Sequence, residues 1–176
     1  MKASDVIEAS LPLREADATP AQPPAIVQQA RALDQRSLDI VTACLIGEAG
    51  GEGANGMQAV MNVIANRAGG DYRRFVAVAL RPKQFSMFNR ATSKTPTQTV
   101  DQVVDLYRRH PRWQQAQMLV RQAAAGTLAD VTGRANHYHA QSVSPSWANP
   151  KHRTAQIGNH LFYRESLADR LLRDLI

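Results

Sequence analysis

Residues 38–64 read as two apolar helical stripes joined through a glycine-rich turn, Gly47-Glu48-Ala49-Gly50-Gly51-Glu52-Gly53. Leu38, Val41, Cys44 and Leu45 recur at the spacing of one helix face, and Met57, Val60, Met61 and Ile64 at that of a second. Two apolar helices in immediate succession restrict the chain to a core built largely of helices. The turn carries Glu48 and Glu52, the only glutamates between residues 37 and 164.

The stop and start signals extend this pattern. Ser37 is expected to cap the first helix, and Asn55 with Gln58 to form a capping box on the second, which Gly69-Gly70 ends. Phe75, Val76, Ala79 and Leu80 predict a shorter third helix closed before Pro82, and 83–96 reads as loop. Thr99 and Gln102 make another capping box ahead of Val100, Val103, Val104 and Tyr107. A fifth helix runs through Trp113, Ala116, Val120 and Ala124 to Gly126. Segments 136–140 and 157–164 alternate and carry aromatic residues, so they read as strands flanking a Ser/Pro/Asn-rich loop. A last amphipathic helix is expected over 165–175, and a short one over 25–33. The fold class is α+β, mainly helical, with a small antiparallel β-hairpin.

At 176 residues one domain is expected, with 1–36, centred on Pro20-Ala21-Gln22-Pro23-Pro24, as an arm or linker and 37–176 as the folded unit. The N-terminus has no apolar core of signal-peptide length, and nothing approaches a membrane span of about 20 apolar residues. Cys44, the only cysteine, excludes an intrachain disulfide and sits on an apolar stripe. The net charge is +6; residues 1–36 hold four basic and five acidic side chains, so the remainder carries +7. Such a surface suits polyanions: nucleic acid, anionic lipid or the acidic polymers of a bacterial envelope. The basic residues are scattered over several elements, which argues against a specific nucleic-acid groove.

Glu48 is placed on the last turn of the first helix, where the helix dipole and burial both disfavour a charged carboxylate. Were the helix to continue, Glu52 would share its face at a Cβ separation of about 5–6 Å. Those conditions favour a retained proton, as acid-assisted glycoside cleavage requires at the leaving oxygen. A Glu-x-x-x-Glu pair equally suits a solvated helix end, so spacing alone leaves both readings open. His137 and His139 raise a third: His-x-His on a strand puts two rings on one face, as a zinc-dependent cell-wall amidase or peptidase would need. Against it, 131–164 contains no Asp or Glu to complete such a site.

Taken in order, Ile46-Gly47-Glu48-Ala49 with Gly51-Glu52, then 60–67 (VMNVIANR), Gln84-Phe85-Ser86, Ala135-Asn136-His137-Tyr138, Trp147, and 157–163 (IGNHLFY) resemble the SleB-like cell wall hydrolases, a family of spore-cortex-lytic enzymes and related bacterial and phage lysins. The resemblance covers about 37–164. It implies a lysozyme-like fold, peptidoglycan as substrate, and cleavage between N-acetylmuramic acid and N-acetylglucosamine by a lytic transglycosylase or muramidase-like reaction. The family's essential acid matches Glu48. Glu52, Gln84, Phe85, Ser86, Asn136, Tyr138, Trp147 and His160 are the expected substrate-binding residues, Tyr138 and Trp147 by stacking on sugar faces. No metal or cofactor is implied. The sequence around His137 and His139 departs from the double-tyrosine pattern of spore members. A small, basic, signal-less chain resembles a phage lysin, expected as a monomer made in the host cytoplasm and reaching the wall by holin-type release or within the virion.

Overall fold

The computed structural model describes residues 33–166 and 168. Helix α1 (Gln35–Ala49) passes through a 3-10 turn (Gly50–Glu52) into α2 (Gly53–Ala68). After a 3-10 turn at Tyr72–Arg74 come α3 (Phe75–Ala79), a 3-10 turn at Ser86–Phe88, α4 (Asn89–Thr92), α5 (Val100–Tyr107) and α6 (Trp113–Ala125). Three strands close the described chain: β1 (His137–Ala140), β2 (Arg153–Ile157) and β3 (His160–Tyr163). The sheet is antiparallel in the order β1-β3-β2, with Tyr138 opposite Phe162 and Ile157 opposite His160.

Both stripes read from the sequence are buried. Leu38, Val41, Cys44 and Leu45 of α1 meet Met57, Val60, Met61 and Ile64 of α2 in one core, with Phe75, Phe85, Phe88, Val104, Ala116 and Val120 around them. Helix α2 is apolar on a second side as well. There Ala59 and Val63 pack with Ala135 and Phe162, and Tyr138, Ala155 and Ile157 lean on that smaller cluster. The sheet is thereby fastened to α2. At about 25 cal/mol per Å2, the fully buried Val63 and Phe162 side chains each contribute roughly 1.5–3 kcal/mol of transfer free energy.

Several local expectations are corrected. Helix α1 is capped by Asp34, whose carboxylate accepts from Ser37 N at 2.9 Å and Ser37 Oγ at 2.6 Å; Ser37 is inside the helix, not its cap. No side chain caps α2, and Gln58 donates instead to Ala129 O at 2.9 Å, so the Asn55–Gln58 box is absent. The 83–96 loop contains a 3-10 turn and α4. Segment 157–164 is not one strand: Ile157 ends β2, Gly158-Asn159 turn the chain, and β3 begins at His160. The loop expected before it contains β2, where Arg153, Thr154 and Gln156 are exposed and only Ala155 and Ile157 alternate inward, too short a signal to announce the strand. The Thr99–Gln102 box forms, and Gly69 and Gly126 end α2 and α6 in the left-handed conformation. The helices expected over 25–33 and 165–175 fall almost wholly outside the described residues.

Candidate active site

Glu48 is half-buried on the last turn of α1. Three donors from two distant segments meet its carboxylate. Ser86 Oγ donates to Oε1 at 3.0 Å, Met87 N approaches the same oxygen at 3.4 Å, and Tyr138 OH donates to Oε2 at 2.9 Å. Gly47 lets the 86–87 segment come this close, since a Cβ there would lie 2.5 Å from Met87 Sδ.

Tyr138 reaches Glu48 because β1 is pinned to α2 by the polar residues of the 60–67 block. Asn62 donates to Ala129 O at 3.2 Å and accepts from Val131 N at 3.0 Å. Asn66 donates to Ala135 O at 2.9 Å, and Arg67 Nε to Asn136 O at 2.6 Å. An Asn at positions i and i+4 of a buried helix is the signal that could have revealed this role, because buried amides require partners. The phenol then stacks on Phe162 at 5.6 Å and stands edge-on to His160 at 5.0 Å. Burial, and next the negative charge of Glu48, push the Tyr138 phenol well above its ordinary value of 10.0. It therefore stays a protonated donor to Glu48.

Glu52 does not extend the first helix face. After the 3-10 turn its Oε1 accepts from Asn159 N at 3.0 Å and lies 3.0 Å from His160 Nδ1. A Cβ on Gly158, at φ +55°, would come within 2.6 Å of Glu52 Oε2, so the turn and the carboxylate fit only with glycine there. One line of contacts thus runs from Glu48 through Tyr138 and His160 to Glu52, joining the helical junction to the β2–β3 turn.

The other expected site residues lie around this line. Ser86 is exposed beside Glu48, Phe85 is buried beneath it with its ring 6.5 Å from Tyr138, and Gln84 is exposed on the adjoining surface. Asn136 is occupied by the chain itself: Nδ2 donates to Glu165 O at 2.7 Å and Oδ1 accepts from Glu165 N at 3.0 Å. Trp147 packs on the opposite face of β1 from Tyr138, with His137, His139 and Tyr163 at ring separations of 5.2–5.5 Å.

The His pair does share one strand face. His139 Nε2 is 3.0 Å from Tyr163 OH, and His137 Nε2 is 3.7 Å from Glu165 Oε2. Among the described residues, no group of three or more His, Cys, Asp or Glu side chains is placed to hold a metal ion. Gln84 lines a surface concavity of about 300 Å3 and Asn136 one of about 520 Å3; Glu48 lines neither.

A mainly helical core with a small antiparallel sheet, and a glutamate at the end of the first helix facing that sheet, define the class as a lysozyme-like α+β domain. The family model for Cell Wall Hydrolase matches residues 51–163, and the chain belongs to that family, whose substrate is peptidoglycan. The match begins just after Glu48 and includes Glu52. Among solved structures, the catalytic domain of the Bacillus cereus SleB protein is 22% identical, with 76% of this chain and 93% of that one covered at a TM-score of 0.52. The catalytic domain of the germination-specific lytic transglycosylase SleB from Bacillus anthracis is also 22% identical, covering 76% of this chain and 98% of that one at a TM-score of 0.38. No curated protein matches the chain significantly.

Proposed function

We propose that the chain cleaves the glycan strand of peptidoglycan between N-acetylmuramic acid and N-acetylglucosamine, with Glu48 as the general acid. The observation that carries this reading is the placement of Glu48: a half-buried carboxyl, reachable from solvent beside Ser86, held by donors from Ser86, Met87 and Tyr138. A carboxyl held in a fixed orientation beside the cleft surface is what general acid catalysis needs.

Glu48 gives its proton to the bridging oxygen as that bond to the muramic C1 breaks and an oxocarbenium-like centre forms. The C6 hydroxyl of the same sugar then bonds to C1, and Glu48 takes the hydroxyl proton, leaving a 1,6-anhydro end. One carboxyl suffices for this lytic transglycosylase course. The occupation of Glu52 by Asn159 and His160 favours it over a water attack that Glu52 would have to guide. In this reading Gln84 and Ser86 meet the sugars, and Tyr138 orients the acid. Glu52 and His160 hold the β2–β3 turn against the site, and Phe85, Asn136 and Trp147 support the segments that line it. Delivery to the wall by holin-type release or in a virion belongs to the same proposal.

Mass analysis of digested peptidoglycan tests it. Anhydro ends are expected from the wild type and none from Glu48→Gln. Reducing ends would replace the transglycosylase course by a muramidase one, and freed peptides would overturn the glycan-cleaving reading.

A further inference from the structure

Three arginines from separate points of the chain surround one concavity of about 300 Å3: Arg67 near the end of α2, Arg74 just before α3, and Arg81 just after it. Ala77, Val78 and Gln84 complete its lining, with no Asp or Glu among the lining residues. The nearby Asp71 is engaged by Arg73, at 2.9 Å through both Nε and Nη2. Like charges gathered around one hollow repel each other, and an anion placed among them removes that repulsion.

Two of the three guanidinium groups are held in place. Arg67 donates to Asn136 O and lies over the Phe85 ring at 5.6 Å, and Arg74 Nη1 donates to Ala68 O at 3.2 Å. Guanidinium groups bind carboxylates, and groups already held in place lose less freedom on binding.

The hollow adjoins the cleavage machinery. Gln84 lines it, and Ser86, two residues on and so at most about 7 Å away along the chain, donates to Glu48. N-acetylated sugars are neutral and supply no counter-charge. The muramic acid whose C1 would lie at Glu48 carries the stem peptide, and that peptide carries free carboxylates. We propose that the Arg67–Arg74–Arg81 hollow binds a stem-peptide carboxylate, so that the substrate is peptide-bearing glycan rather than bare glycan. This rests on the glycan-cleaving reading above.

The test has two arms. In the first, a soluble muramyl tetrapeptide is titrated into wild-type protein, Arg81→Gln, Arg74→Gln/Arg81→Gln, and the control Arg121→Gln, whose side chain is exposed on α6. Arg67 is left intact because it supports β1. The double variant is expected to bind about tenfold more weakly, corresponding to about 1.4 kcal/mol, with the control unchanged. Equal binding by all four proteins, or none by the wild type, overturns the proposal whatever the cleavage chemistry proves to be.

In the second arm, teichoic-acid-free sacculi are digested with stems intact or removed by an amidase. A loss of kcat/KM confined to stem-bearing sacculi is expected for Arg81→Gln and the double variant. Equal loss on both substrates overturns the proposal, as does a loss seen only on walls that retain teichoic phosphate. Wild-type protein that cuts neither substrate yet shows arginine-dependent tetrapeptide binding would sink the glycan-cleaving reading and leave the carboxylate site standing.

Discussion

The phenol of Tyr138 donates to Glu48 Oε2 at 2.9 Å across 90 residues of chain. A strand that begins the sheet therefore orients a carboxyl that ends the first helix, and the helical and β parts of the molecule meet at that one group.

Glu48→Gln is expected to lower glycan cleavage by about a thousandfold, within the range for a general acid. The amide keeps the size of the side chain and an oxygen acceptor for Tyr138, so the far-ultraviolet spectrum and melting temperature should hold. Near-wild-type rates with this variant would refute the role of Glu48.

Tyr138→Phe removes the hydrogen bond to Glu48 but keeps the ring that stacks on Phe162 and meets His160. Its cost in stability should be about 1 kcal/mol, and the fall in kcat larger than that stability loss explains. Tyr138→Ala also empties a half-buried position that packs on Phe162, and should cost about 2–3 kcal/mol. Urea unfolding set beside steady-state rates separates the two effects; unchanged kcat in the Phe variant would deny Tyr138 an orienting function.

Gly158→Ala should destabilise the fold by about 1–3 kcal/mol, since φ +55° and a Cβ 2.6 Å from Glu52 Oε2 both oppose it. Activity should fall with stability, because the turn also supplies the Asn159 amide that Glu52 accepts from. A thermal melt equal to wild type would mean that the turn relaxes freely.

Alkaline pH should unfold the protein earlier than its charge alone requires. Burial, followed by the charge of Glu48, holds the Cys44 thiol and the Tyr138 phenol above their ordinary values of 9.0 and 10.0. The folded state keeps these protons while the unfolded chain releases them. The stabilising contribution is thus fully present below about pH 9 and is lost as pH rises from the ordinary values through the raised folded ones. Melting temperatures from pH 7 to 11 should decline above pH 9, less steeply in Tyr138→Phe; equal slopes would contradict the linkage.

Chelation supplies a further check. Excess EDTA should leave wall digestion unchanged, because the ring nitrogens of His137 and His139 face Asn136, Glu165, Ala140 and Tyr163. Loss of activity restored by zinc would return the His-x-His reading to first place.

Helix positions were legible in the chain because their causes are local. Apolar spacing marks the buried faces of α1 and α2, Thr99 and Gln102 cap α5 within one turn, and Gly69 and Gly126 stop their helices by adopting positive φ. The Asn55–Gln58 box failed because α2 starts earlier, at Gly53, which puts Asn55 inside the helix; Gln58 meets the distant Ala129 O instead. Strand β2 was hidden because its inward face is only Ala155 and Ile157, too short an alternation to stand out on an edge strand whose other side chains are exposed.

The site divides along the same line. Two glutamates four apart beside a helix end were visible as residue types, but their separate partners were not. Which of them meets Tyr138, and which meets Asn159 and His160, depends on where β1 and the β2–β3 turn dock on α2. The gathering of Arg67, Arg74 and Arg81 likewise arises from the packing of α3 against α2. Short-range spacing carries the periodicity and caps of single helices. Contacts between residues tens of positions apart come only from the way those helices and strands bury one another's apolar faces.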